Sequence, residues 1–305
     1  MRRLGRLLTA MVTPFDEKGK VDYEQAKRLA LALLDSGSQG IVVSGTTGES
    51  PTLSRDEKLR LFAEVKSAVG EQGSIVAGTG SYSTAESMEL TKDAERTGVD
   101  ACLLIVPYYN KPTQEGLFQH FKAIALSTKL PCILYNVPSR TVTNLSAETV
   151  VKLSQVDNII GIKEASGNLG QIANIINGVN EDFLVYSGND SDTFSILALG
   201  GYGVISVASH LAGNQIDEMM EKLLAGKTQE AAEIHRRLLP LINALFVLSN
   251  PIPIKYALNH LGFPVGKTRL PLTEPDEKSA TFIETTLKNY RIDLPLKKKD
   301  LTPRS

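Results

Sequence analysis

Cysteine is scarce in this sequence. Only Cys102 and Cys132 occur among 305 residues, each inside an apolar run, and the expected state is a pair of reduced core thiols rather than a disulfide framework. Histidine is scarce too. His120, His210, His235 and His260 show neither an HExxH pattern nor paired ligand spacing, so no metal site is built from them. No excess of either charge exists: Lys plus Arg number 33 against 34 for Asp plus Glu. That balance gives no global field for nucleic acid or an anionic membrane. No uninterrupted apolar stretch approaches the ~18 residues of a membrane span. The first nine residues hold three arginines but no apolar run of signal-peptide length, so a cytoplasmic location is expected.

What is present is regular alternation. Short runs rich in Val, Ile and Leu recur at Leu8–Val12, Gly40–Ser44, Ile75–Gly78, Ala101–Val106, Cys132–Val137, Ile159–Lys163, Phe183–Tyr186 and Gly203–Val207. Most lack polar alternation, as expected for parallel strands covered on both faces. Helical spacing fills the gaps. Tyr23–Ser36 carries an Ala/Leu stripe, and Ser54 with Glu57 forms a capping box ahead of Leu61, Phe62, Val65 and Val69. Thr84–Arg96, Thr113–Ser127, Ser146–Ser154 and Asn168–Asn177 fit the same role. Eight strands with alternating helices predict an α/β fold, a closed (β/α)8 TIM barrel. The competing open doubly wound sheet usually carries a Gly-x-Gly-x-x-Gly turn after its first strand, and none follows Val12.

After about Gly213 the strand signal stops. Asn214–Ala225, Thr228–Leu248, Ile252–Leu261 and Asp276–Lys288 read as helices, punctuated by Pro251, Pro253 and Pro264. The expected organisation is a barrel over 1–225, a C-terminal helical subdomain over 226–293 and a flexible Lys-rich tail over 294–305.

Barrel chemistry sits where strands run into their following loops. The second strand enters Gly45-Thr46-Thr47-Gly48-Glu49-Ser50, whose glycines allow a sharp turn and whose hydroxyls and amides suit a carboxylate; a capped turn alone gives the same pattern. The fourth strand ends in Pro107-Tyr108-Tyr109-Asn110. The fifth ends in Tyr135-Asn136-Val137-Pro138-Ser139-Arg140, which offers a phenol and a carboxylate clamp, or a surface arginine. The sixth ends in Gly161-Ile162-Lys163-Glu164-Ala165. A lysine is rarely buried without a partner, yet this one closes an apolar strand, with Gly161 and Ala165 on its own side. Burial disfavours an ammonium ion relative to free amine, and a free amine attacks ketones. The alternative is a strand-end lysine snorkelling to solvent. Ser187-Gly188-Asn189-Asp190 and Gly203-Val204-Ile205-Ser206-Val207 close the last two strands, where some barrels bind phosphate. A barrel that merely binds a phosphorylated ligand or flavin is therefore a rival reading.

Taken together, Gly-Thr-Thr-Gly-Glu-Ser at 45–50, Pro-Tyr-Tyr-Asn at 107–110, Tyr-Asn-Val-Pro-Ser-Arg-Thr at 135–141, Gly-Ile-Lys-Glu-Ala at 161–165 and Gly-Val-Ile-Ser-Val at 203–207 resemble the dihydrodipicolinate synthase/N-acetylneuraminate lyase family. The resemblance runs from about Gly5 to Leu272. It implies a Schiff-base enzyme in which Lys163 takes up pyruvate and Tyr135 transfers protons, with Thr46 and Tyr109 as relay partners. It further implies that Thr47 contacts the pyruvate carboxylate, that Gly188 and the Ile205 carbonyl line the pocket, and that Arg140 holds the second substrate. Arg140 and the double threonine favour condensation with L-aspartate 4-semialdehyde on the diaminopimelate route over cleavage of a 2-keto-3-deoxy sugar acid. Neither a metal nor an organic cofactor is implied. Tyr109 is expected to reach a neighbouring subunit of a homodimer or homotetramer.

Lysine-sensitive relatives bind that inhibitor at positions matching Ser50, Pro51, Arg55, Lys58, Tyr82, Glu86 and Tyr108. They carry histidines where Arg55 and Lys58 stand, and a small amide where Tyr82 stands. Two cations and a bulky ring predict weak or absent lysine inhibition.

Overall fold

A computed structural model describes residues 4–296. Eight parallel strands close on themselves in chain order: β1 Leu7–Ala10, β2 Gly40–Val43, β3 Ser74–Gly78, β4 Ala101–Ile105, β5 Cys132–Asn136, β6 Ile159–Glu164, β7 Leu184–Ser187 and β8 Gly203–Ser206. β1 pairs with β8 as well as β2, so the sheet has no free edge. The TIM barrel read from alternating runs is the fold observed.

Two apolar layers follow from strand alternation. One side chain set points inward, including Leu8, Val42, Val76, Leu103, Ile133 and Ile205. The other meets the surrounding helices: α1 Tyr23–Asp35, α2 Arg55–Val69, α3 Thr84–Arg96, α4 Gln114–Leu126, the single turn α5 Pro138–Thr141, α6 Ala147–Leu153, α7 Leu169–Gly178, α8 Thr193–Ala198 and α9 Ser209–Leu224. Cys102 and Cys132 face each other in this outer layer as free, buried thiols with sulfurs 3.4 Å apart. The capping box at Ser54 and Glu57 starts α2 as its residues predict.

α9 begins five residues before the predicted Asn214. Its first turn is organised by a distant loop: the fully buried Asp190 carboxylate accepts from Val207 N–H (3.0 Å), Ala208 N–H (3.2 Å) and the Ser206 hydroxyl. A kink at Ala212 (φ −131°, ψ 37°) then separates that turn from the amphipathic stretch read from sequence. α10 Thr228–Leu245, α11 Ile252–His260 and α12 Glu277–Leu287 form the C-terminal helices, with α10 against α9. The segment between α11 and α12 returns to the barrel, where Phe15 N–H donates to Val265 O at 3.0 Å. Of the expected tail, Leu294 is buried, while residues 297–305 lie outside those described.

Candidate active site

The C-terminal ends of the strands converge on one cavity of about 210 Å³ walled by Thr46, Ser44, Ile105, Tyr108, Tyr135 and Arg140. Strand register sets its chemistry. Tyr135 on β5 and Lys163 on β6 are direct partners across the ladder. Both are buried, at 6% and 5% exposure, and Lys163 Nζ lies 4.4 Å from the Tyr135 ring centroid. Among the described residues the Lys163 side-chain nitrogen has no hydrogen bond or ion pair. The lysine is therefore inside the barrel mouth rather than snorkelling.

Small neighbours make that possible. A Cβ on Gly188 would stand 3.1 Å from Lys163 Cγ and 2.7 Å from Ala165 Cβ, so glycine leaves the space the lysine stem occupies. Asp190 follows two residues later. Burial pushes its carboxyl up, while its three hydrogen bonds and the Lys163 charge pull it down. Ile205 is buried on the inner face of β8.

The turn after β2 is built from unusual backbone. Ser44 (φ 57°) and Glu49 (φ 56°) are both left-handed, a conformation that costs L-residues energy. Glu49 N–H closes the turn on Thr46 O at 3.0 Å, and Thr13 Oγ1 donates to Gly48 O at 2.6 Å. Thr46 faces the cavity. Thr47 is buried behind it, and its Oγ1 accepts from Asn250 Nδ2 at 2.8 Å. The same Asn250 accepts through its backbone carbonyl from Arg140 Nη2 at 3.4 Å. Its Oδ1 is buried without a hydrogen-bond partner among the described residues. Arg140 sits on α5, whose Pro138 starts the turn and whose guanidinium remains exposed.

Of the residues singled out by sequence, Thr46, Tyr135 and Arg140 share the cavity wall; Lys163, Gly188 and Thr47 lie immediately behind or beside it. Tyr109 does not join that wall: it is 93% exposed at φ 74°, beyond the end of β4. Asn250 was not foreseen. Its sequence context, Asn before Pro251 between two helices, reads as an ordinary loop, and only the fold carries it to Thr47.

A sequence profile of the dihydrodipicolinate synthetase family matches residues 3–290. The chain belongs to this family. Within it, the chain is 66% identical over 297 residues to a 4-hydroxy-tetrahydrodipicolinate synthase of Dehalococcoides mccartyi, covering 97% of this chain and 100% of that protein. It is 54% identical over 286 residues to one from Moorella thermoacetica, covering 92% and 98%. Among solved structures, a dihydrodipicolinate synthase from Bacillus anthracis superposes with a TM-score of 0.93 at 45% identity, covering 95% of this chain and 99% of that one. A lysine-bound relative from Cyanidioschyzon merolae gives 0.92 at 48% identity, covering 93% and 97%. The chain is thus an enzyme of the dihydrodipicolinate synthetase family, with the family's barrel.

Proposed function

We propose that this chain joins pyruvate to L-aspartate 4-semialdehyde through an imine on Lys163, giving 4-hydroxy-tetrahydrodipicolinate and water on the diaminopimelate route to lysine. The observation that carries the reading is the buried Lys163 amine beside the Tyr135 ring, with no hydrogen bond or ion pair among the described residues. Relatives matched over nearly the full length are 4-hydroxy-tetrahydrodipicolinate synthases, which supports this product.

In this mechanism the Lys163 amine adds to the pyruvate ketone and expels water as the imine forms. Tyr135 moves the protons, relayed by Thr46 and by Tyr109 of a second copy. The protonated imine is an electron sink, so the pyruvate methyl loses a proton and becomes an enamine carbon. That carbon attacks the aldehyde, held through its carboxylate by Arg140. The amino group of the second substrate then displaces Lys163 and closes the ring. Thr47 receives the pyruvate carboxylate, Gly188 keeps room for the lysine, and the Ile205 carbonyl contacts the bound keto acid. No step calls for a metal or an organic cofactor. Self-association as a homodimer or homotetramer, in which Tyr109 enters a partner's site, belongs to the same reading, and at 93% exposure Tyr109 is accessible for that contact.

Incubation with pyruvate and borohydride tests the core of this reading. One reduced pyruvate adduct per chain, mapped to Lys163, is the expected mass. An unmodified chain would overturn it. Assays with aspartate semialdehyde against 2-keto-3-deoxy sugar acids then separate the synthase from a sibling lyase.

A further inference from the structure

The turn that carries Thr46 and Thr47 is anchored from behind by charge. Glu49 and Lys255 form an ion pair with side chains 1% and 2% exposed. Glu49 Oε1 accepts from Lys255 Nζ at 2.8 Å, and Oε2 accepts from Arg269 N–H at 2.9 Å. Lys255 also donates to Lys267 O at 2.9 Å and lies 4.1 Å from the centroid of the Phe15 ring. The Arg269 guanidinium stands 4.3 Å from the same ring and grips Glu57 at 2.6 and 2.9 Å. Every cation in this cluster comes from α11 or the segment after it.

Stability alone gives a poor account of such a pair. Burial pushes the Lys255 ammonium down to about 8 even with Glu49 beside it. Apolar side chains of similar volume often serve a fold equally well or better. The geometry supplies another account. Glu49 holds a left-handed backbone, and its N–H closes the turn onto Thr46 O. Fixing its carboxylate therefore fixes the turn, and Asn250, five residues before Lys255, fixes Thr47 from the same segment.

We propose that Glu49 and Lys255 are positioning residues: their buried pair holds the Thr46–Thr47 turn in the shape that receives the keto acid's carboxylate. This rests on the reading that Thr47 contacts pyruvate. The pair touches no reacting atom and acts through the turn.

The test compares wild type with Glu49→Gln/Lys255→Met, which removes both charges together and strands neither. Thermal melting reports the structural role. The pyruvate concentration that half-saturates borohydride trapping, and KM for pyruvate, report positioning. The expected result is a melting temperature within a few degrees of wild type, a rise of about tenfold in both pyruvate constants, and full adduct at saturating pyruvate. Unchanged pyruvate constants in the folded double variant would overturn the proposal. Should that variant not fold, Glu49→Asp decides instead: it keeps the charge but draws the carboxylate back by one methylene. A raised pyruvate constant then supports the proposal, and an unchanged one refutes it. A wild-type chain that forms no adduct would sink the Schiff-base reading itself, and the positioning role with it.

Discussion

Asn250 Nδ2 donates to Thr47 Oγ1 at 2.8 Å, joining the segment before α11 to the turn after β2. A hydroxyl that accepts one hydrogen bond keeps its own hydrogen free to donate elsewhere. The contact therefore orients Thr47 as a donor. Asn250→Leu leaves that hydroxyl free to rotate, and the pyruvate half-saturation of borohydride trapping is expected to rise about tenfold, the value of one aligned hydrogen bond. Asn250→Asp replaces a donor with an acceptor, turns the Thr47 hydrogen away and adds negative charge near an anionic ligand. Its effect is expected to be larger. The opposite ranking in the trapping curves would show that Thr47 is not oriented in this way.

Lys163→Ala is expected to abolish the pyruvate adduct and the condensation while leaving the fold intact, because the amine it removes makes no hydrogen bond or ion pair among the described residues. Tyr135→Phe keeps the ring beside Lys163 but removes the proton carrier. It should lower kcat about 10²–10⁴-fold, with trapping slowed rather than lost. Steady-state kinetics and mass spectrometry of the trapped chain distinguish the two.

Tyr109 is predicted to work in a neighbour's site. Tyr109→Phe should lower kcat with little change in the assembly seen by sedimentation. Dissociated protomers of the wild type should lose activity on dilution in step with loss of the dimer. Full activity in a proven monomer would contradict the relay.

Weak lysine inhibition remains the expectation, and the structure changes its cause. Arg55 is neutralised by Glu89 at 3.2 Å and by Asp93, so Lys58 carries the repulsion. Burial holds its ammonium below the usual lysine range, opposed by Glu86. Tyr82 is packed edge-on against Tyr108 with centroids 5.2 Å apart, beside the cavity of about 170 Å³ that holds Arg55 and Lys58. Calorimetry should find feeble lysine binding, strengthened by Lys58→His. Tight saturable binding to the unaltered chain would refute this.

His210 predicts an acid weakness. Val12 N–H donates to its Nε2 at 3.2 Å and its Nδ1–H donates to Val207 O at 2.8 Å, so the ring ties the segment after β1 to the segment after β8 as the neutral tautomer. Burial pushes it down to about 4. Below the ordinary value of 6.5 the unfolded chain takes up a proton that the folded chain refuses. Stability from this group is whole above that pH and is lost as pH falls toward 4. The loss is about 2 kcal/mol at pH 5. Glu164, Asp190 and Asp217, pushed up by burial, act in the opposite sense. Comparison with His210→Gln isolates the ring: urea unfolding at pH 7 and pH 5 should show a smaller acid loss in the variant.

How far the sequence reached depends on the range of each interaction. Strands covered on both faces are near-continuous apolar runs, so all eight were legible. Lys163 was legible because a cation does not belong at the end of Ile159–Ile162. Thr46 and Thr47 announced themselves through flanking glycines. The start of α9 was not legible, since Asp190 organises it from another loop. α5 and α8 are too short for periodicity to register. Asn250 and Lys255 carried signals only as a polar and a charged residue in a Pro-punctuated, apolar stretch. Their partners, Thr47 and Glu49, lie 203 and 206 residues away.

Those separations matter during synthesis. When only the eight strands have left the ribosome, the Thr46–Thr47 turn still lacks both Asn250 and Lys255. The turn therefore gains its anchors only after residues 250–269 have emerged and folded back, so a late part of the chain completes one of the first.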